Sequence, residues 1–209
     1  MPDPLFAMAA STEAALEVGG RSPKGAGSTL IWAAFNLRAA RVGRHIVDEL
    51  ATGSAGLARL TSVLPEEWDV LEIAAMSLGF EDTMTALDLC ANVLYLSSGG
   101  TPAMAGRFKD LGYWTTPKAA ALPSATRTWI TDLLSSPEYE ELKLARDALT
   151  HRFVSRRIRL GGGVGRALAE IATPNRALGP INTLIPRLVA FGEDQFEAFC
   201  TDLLVDFGP

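Results

Sequence analysis

Apolar residues recur every three or four positions through most of the chain, a spacing typical of amphipathic α-helices. The periodicity predicts an all-α protein without internal repeats. A helix over 29–50 carries the apolar stripe Trp32, Phe35, Ala39, Val42, Ile46 and Leu50. Outside the irregular stretch 99–123, the expected helices cover 4–18, 29–50, 55–64, 65–78, 81–97, 125–135, 137–158 and 180–204.

Proline, glycine and small polar residues set the expected boundaries of these helices. Ser136 followed by Pro137 is typical of a helix start, because a hydroxyl caps free N–H groups and proline fits the first turn. Ser124 is expected to cap 125–135 in the same way, and Gly79 to end a helix. Pro186 is expected to bend or delay the last helix.

Two segments depart from the helical pattern. Residues 99–123 are rich in glycine and proline, and are predicted to be irregular with one short helix near 102–110. Triple glycine follows Leu160 and cannot continue a helix. Its flanks are compatible with a small β-hairpin near residues 153–172 and equally with a loop.

Three of the four tryptophans lie in apolar stripes, where a core anchor is a better interpretation than a base-stacking platform. These are Trp32, Trp68 and Trp129. Trp114 is the exception, because it lies in the loop sequence GYWTTP. There it is placed to cover a pocket or an interface.

A chain of 209 residues with 48% hydrophobic and 21% charged residues has the composition of a folded domain. We expect an N-terminal arm, 1–28, and a single helical domain, 29–209. Cys90 and Cys200 lie in apolar patterns and are expected to be free, buried thiols of a cytoplasmic protein. No signal peptide, membrane span, cofactor motif or metal-ligand spacing is recognised.

The charge of the chain is distributed unevenly. The net charge of −5 argues against a general duplex-binding protein. Between Lys143 and Arg166, however, seven basic residues accompany a single acid, Asp147. This segment is either a solvated helix face with cations near its C-terminus or a surface for anions or single-stranded nucleic acid. Its candidate phosphate-binding residues are Lys143, Arg152, Arg156 and Arg157.

The same segment holds His151, one of only two histidines in the protein. Asp147 lies four residues before His151, so the two share a helix face and the carboxylate could orient the imidazole. Arg146 lies five residues before it, about 140° away on an ideal helix, so the two cannot touch directly. Both would meet one substrate only in a cleft, such as one between two copies. His45, with Arg38 upstream, is better interpreted as a surface histidine.

The sequence RDALTH, Arg146 to His151, resembles the R-x4–6-H motif of HEPN domains, in which a polar residue commonly follows the arginine. The resemblance implies a HEPN-like helical bundle that dimerises with its motif helices facing. It also implies a metal-independent RNase in which Arg146 stabilises the phosphate, His151 acts as general acid or base and Asp147 orients it. An antitoxin or another protein is an expected partner.

Three functions therefore remain open. The chain is a HEPN-like endoribonuclease of a toxin–antitoxin or defence system, or a non-catalytic HEPN-like module that binds RNA, nucleotides or protein. Alternatively it is an unrelated helical protein in which Arg146, Asp147 and His151 form structural contacts.

Overall fold

The computed structural model describes residues 3–18, 26–52, 67–102, 110–114, 116–150, 168–173 and 176–209. These segments are mostly helical with one small antiparallel hairpin, which confirms the expected fold class. The α-helices are α1 (Pro4–Val18), α2 (Ala26–Thr52), α3 (Glu67–Met76), α4 (Asp82–Ser97), α5 (Thr116–Ala119), α6 (Ser124–Ser135), α7 (Pro137–Thr150) and α8 (Ile181–Phe207). The predicted helix over 55–64 lies outside the described residues.

The hairpin pairs β1 (Glu170–Thr173) with β2 (Arg176–Pro180). It lies further toward the C-terminus than the predicted segment, and residues 153–167 are outside the described residues. A register shift between Ile171 and Ala172 marks a bulge in β1. The amide of Ile181 then donates to Ala169 O at 3.0 Å, so the hairpin leads directly into α8.

The sequence predicts that Gly79 ends a helix, but it does not. It lies in a π-helical turn, Ser77–Glu81, through which α3 continues into α4. A Cβ at Gly79 would lie 2.8 Å from Cγ2 of Ile185, so no larger side chain fits without a shift. Glycine therefore serves close packing of this turn against α8, rather than helix termination.

The two expected serine caps have different outcomes. Ser136 Oγ accepts the amide of Tyr139 at 3.1 Å, as expected for the cap of α7. Ser124 is instead the first residue of α6, and the residue before it makes no side-chain cap. Asp206 of α8 caps this helix, because its carboxylate accepts the amides of Ala125 at 3.3 Å and Thr126 at 2.7 Å.

The stripe predicted to be buried on α2 is largely exposed. Trp32 is 58% exposed, so its expected core position is wrong, and Phe35 and Val42 of the same stripe are each 50% exposed. Of the predicted stripe, Leu50 is buried, at 3% exposure. The buried face is instead formed by Leu30, Ala33, Ala34, Leu37, Ala40 and Val47.

The chain separates into two compact units that interleave along the sequence. One contains Met1–Arg38, Thr85–Tyr139 and Phe191–Pro209; the other contains Ala39–Met84 and Glu140–Ala190. Four helices, α2, α4, α7 and α8, contribute residues to both units. The division into an arm and one domain stays a prediction. Among the described helices, none is both long and apolar enough to span a membrane.

The last helix begins at Ile181, before Pro186, so the proline does not delay it. The expected bend at Pro186 stays a prediction. In the irregular stretch 99–123, a 3₁₀ turn over Leu111–Tyr113 and the short α5 are the ordered elements that the structure describes. Residues 103–109, where most of the predicted short helix would lie, are outside the described residues.

Candidate functional site

Helix α7 positions the part of the sequence motif that the structure describes. Its buried face consists of Leu142, Ala145 and Ala148. Arg146 and Asp147 lie beside this face and are half-buried, whereas Lys143 is exposed. The apolar residues therefore anchor the helix, and the polar pair is left at the border with solvent.

Arg146 and Asp147 contact each other directly. The Nε and Nη2 atoms of Arg146 donate to Oδ1 of Asp147 at 3.3 and 3.1 Å. Their side chains are 35% and 43% exposed, so solvent screens the pair. The contact uses two of the three guanidinium nitrogens and one of the two carboxylate oxygens. Asp147 therefore holds the side chain of Arg146. Its position four residues before His151 does not predict this contact.

The other predicted site residues are outside the described residues. They are His151, Arg152, Arg156 and Arg157. The expected contact between Asp147 and His151 consequently stays a prediction. His45, the other histidine, is exposed on α2, as its interpretation as a surface residue predicts.

A second ionic cluster lies on the same helix and was missed by sequence reasoning. Glu141 accepts a hydrogen bond from Arg176 of β2 at 2.9 Å and another from Arg187 of α8. Its side chain is 13% exposed, much less than that of Asp147. The partners lie 35 and 46 residues along the chain, so no local spacing signals them. Glu141 thus joins three elements of one unit.

The two cysteines are buried and free, as predicted. Burial raises the pKa of the Cys90 thiol well above its usual range. Burial also raises the pKa of Cys200 to about 12, although a hydrogen bond with Thr12 acts in the opposite direction. Since the thiolate is the nucleophilic form, neither residue has the environment of a catalytic cysteine. Within the described segments, no group of three or more His, Cys, Asp and Glu residues could hold a metal ion.

Trp114 is buried, at 4% exposure, although its loop position singles it out from the expected core tryptophans. Its indole Nε1 donates to Ala91 O at 3.2 Å. It also lines an open cavity of about 470 Å³ together with Ala119, Ala120, Arg127, Thr131, Leu134 and Ser135. The residue therefore combines a core contact with the pocket-lining position that its loop suggests.

An exposed aromatic pair on α2, Trp32 and Phe35, also differs from what the sequence predicts. The rings of Trp32 and Phe35 meet edge to face, with centroids 5.4 Å apart and planes at 75°. Their spacing gives no signal of an outer surface, because apolar residues three apart on a helix are typical of a core-facing stripe.

Comparison of the chain with protein-family models, with curated proteins and with solved structures finds no match. The resemblance to HEPN domains consequently depends on the residues from Arg146 to His151 and on the helical character of the chain.

Proposed function

We propose that this protein is an RNA-binding, HEPN-like domain that cleaves RNA without a metal ion, in a cleft formed by two copies. The observation that carries the proposal is the Arg146–Asp147 pair on the solvent border of α7. It lies one turn after Lys143 and immediately before the basic segment that contains His151. This arrangement supports an anion site followed by a group able to transfer a proton near neutral pH.

Arg146 is assigned the role of phosphate ligand. Its planar guanidinium matches the oxygens of a phosphodiester, and the contact with Asp147 fixes its orientation before RNA arrives. As negative charge develops on the phosphorus oxygens during the reaction, Arg146 stabilises that charge. Asp147 is accordingly a positioning residue for the arginine, in addition to its predicted role beside His151.

His151 is assigned the proton transfer. It takes the proton of a ribose 2′-hydroxyl, the 2′-oxygen forms a bond to phosphorus, and the bond from phosphorus to the 5′-oxygen breaks. The departing 5′-oxygen takes up a proton from water, so the products are a 2′,3′-cyclic phosphate and a 5′-hydroxyl. General acid–base catalysis of this kind contributes on the order of 10²–10⁴-fold to a rate. Because Arg146 and His151 point about 140° apart on one ideal helix, the second copy completes the site.

The experiment compares His151→Ala with His45→Ala, which removes the other histidine and serves as a matched control. We expect His151→Ala to reduce cleavage of a single-stranded RNA by on the order of 10²-fold or more. His45→Ala and addition of EDTA should leave cleavage unchanged, and the cyclic phosphate should be visible by mass spectrometry. Cleavage that survives His151→Ala, or a wild-type protein that produces no cleavage, contradicts the nuclease proposal.

A non-catalytic RNA-binding module is the second candidate. It is favoured by the engagement of Arg146 with Asp147, which neutralises part of the charge that a reacting phosphate requires. In that case wild-type protein binds RNA in a salt-dependent manner without forming product, and Arg146→Gln weakens binding while His151→Ala does not.

A further inference from the structure

The outer face of α2 exposes two aromatic side chains next to an arginine. Trp32 and Phe35 are 58% and 50% exposed, and Arg38, three residues after Phe35, is also exposed. Residues three apart on a helix are neighbours on its surface. All three belong to the same compact unit. They therefore form one continuous surface, which we call the α2 aromatic surface.

The ring geometry leaves apolar faces available to a ligand. Trp32 and Phe35 meet edge to face, at 75°, so neither ring stacks flat on the other. When a ligand covers an aromatic side chain, on the order of 150–250 Å² of its surface is removed from water. Flat nucleobases fit such faces, because every base has a π-face that can stack on a ring.

The charge around these rings selects the chemistry of the partner. The part of α2 that belongs to this unit contains Arg38 and neither aspartate nor glutamate. Further along the helix, Arg44 is paired with Asp48 at 3.9 Å. The protein as a whole has a net charge of −5, so the part of α2 that contains Arg38 opposes the overall balance. Two exposed rings next to an exposed arginine complement a strand of exposed bases and phosphates.

We propose that the α2 aromatic surface binds single-stranded RNA, with bases stacked on Trp32 and Phe35 and a phosphate at Arg38. The proposal rests on RNA as the ligand of the proposed function and assigns a second contact region for it, separate from the motif on α7. Duplex RNA binds this surface more weakly, because its bases are already paired and stacked.

The test measures binding of a fluorescein-labelled oligouridine of about 12 nucleotides, a length within the range of single-strand sites. Its riboses are 2′-O-methylated, so cleavage through the 2′-hydroxyl cannot occur. Base–aromatic stacking contributes about 1–3 kcal/mol per base, so Trp32→Ala should raise Kd by roughly 5–150-fold. Phe35→Ala should act in the same direction, and Trp32→Phe, which keeps a ring, should retain most of the affinity.

Two further variants separate stacking from general effects. Val205→Ala removes an apolar side chain of α8 that is 71% exposed, and should leave Kd unchanged. Arg38→Gln should weaken binding and reduce the slope of log K against log salt by about 0.7, the value for one phosphate contact on a single strand. A 2′-O-methylated duplex of the same length should bind more weakly than the single strand.

The outcomes distinguish this proposal from the nuclease proposal. Equal Kd values for Trp32→Ala, Phe35→Ala and Val205→Ala overturn the stacking proposal, even where His151→Ala abolishes cleavage of unmodified RNA. Selective loss of binding in the aromatic variants supports it, even where wild-type protein cleaves nothing. A wild-type dimer that Trp32→Ala converts to monomers in sedimentation velocity assigns the surface to contact between copies and also overturns it.

Discussion

Trp32 and Trp114 occupy opposite environments. The sequence predicts a core position for Trp32 and a loop position covering a pocket or an interface for Trp114. Trp32 lies on a long helix within an apolar stripe, yet it is 58% exposed. Trp114 lies beside a 3₁₀ turn in an irregular segment, yet it is 4% exposed and donates its indole N–H to Ala91 O. Helical periodicity therefore identifies α2 correctly, but the size of an apolar side chain does not identify its buried face.

The buried face of α2 explains the difference. It is built largely from small residues, and a Cβ on Gly43 would lie 2.7 Å from Ala75 O. At this point the backbones of α2 and α3 approach too closely for a larger side chain without a shift. Small residues face the neighbouring helix, and Val42 points outward at 50% exposure.

The irregular segment is fixed by polar contacts instead. Asp88 of α4 accepts the amide of Leu111 at 3.1 Å, and the amide of Trp114 donates to Leu111 O at 3.1 Å. The Trp114 ring meets Tyr113 edge to face at 5.2 Å between centroids. A loop can thus contribute a core residue when its amide and indole N–H groups have acceptors.

The largest expected effect contrasts alanine substitutions at these two tryptophans. Trp114→Ala should lower the free energy of unfolding by about 3–5 kcal/mol, because it leaves a cavity in a buried site. Trp32→Ala should change it by about 0.5 kcal/mol or less, as for other exposed positions. Urea denaturation followed by circular dichroism measures both values. Similar destabilisation by the two variants would contradict the assignment of one ring to the core and the other to the surface.

The same contrast exists between two carboxylates on α7. Glu141 is 13% exposed and accepts hydrogen bonds from two arginines, Arg176 and Arg187. Asp147 is 43% exposed and contacts the adjacent Arg146. The largely buried carboxylate of Glu141 makes the first cluster a structural link between elements, although its two arginines are about half exposed. The greater exposure of Asp147 leaves the second cluster accessible to a ligand.

Substitution of these carboxylates gives the second prediction. Glu141→Gln should destabilise the protein by about 1–2 kcal/mol, because its carboxylate is largely buried while both arginine partners are about half exposed to solvent. Asp147→Asn should change stability by less than about 1 kcal/mol, because exposed ion pairs contribute little. Thermal melts measure stability, and binding of the 2′-O-methylated RNA measures function. A stable Glu141→Gln variant, or an Asp147→Asn variant that unfolds easily, would reverse the assignment of structural and functional roles.

Local sequence patterns predict the helical fold because helix formation depends on neighbours three and four residues away. They predict α1 as 4–18, the bounds observed, and they identify Ser136 as the cap of α7. They fail where the partner is distant. Asp206, which caps α6 from 80 residues away at Thr126, has no local signal.

The candidate site is predictable to a smaller extent. The motif includes Arg146 and Asp147, which contact each other on α7. The roles that the motif assigns to them stay predictions. The spacing of Arg146 and Asp147 does not predict this contact, since neighbouring residues on a helix do not ordinarily face each other. The contact depends on the rotamers of the two side chains. Similarly, Arg176 and Arg187 reach Glu141 only because β2 and α8 pack beside α7, an arrangement that charge counting cannot reveal.

A carboxylate of intermediate exposure provides the smallest and most discriminating effect. Burial, and secondarily the nearby charge of Asp206, raise the pKa of Asp202 above its usual value. The pKa of Asp202 in the folded protein exceeds its value in the unfolded chain, which is about 3.9. The protonated carboxyl therefore contributes its full stabilisation of the fold at pH values below the unfolded pKa. That contribution is lost as pH rises through the folded pKa. Asp202→Asn carries no ionisable group, so its stability relative to wild type should increase from acidic to neutral pH.

Melting temperatures of both proteins between about pH 3 and pH 7, which brackets the usual titration of aspartate, measure this difference. Asp202→Glu, which keeps an ionisable carboxyl at the same position, provides the matched control and should follow wild type. If wild type and Asp202→Asn instead keep a constant separation across that range, Asp202 is as well solvated as an exposed residue. Partial burial at Asp202 would then have no measurable influence on its charge. The relation between burial and energetic effect would extend from Trp114 to Glu141 but not to Asp202.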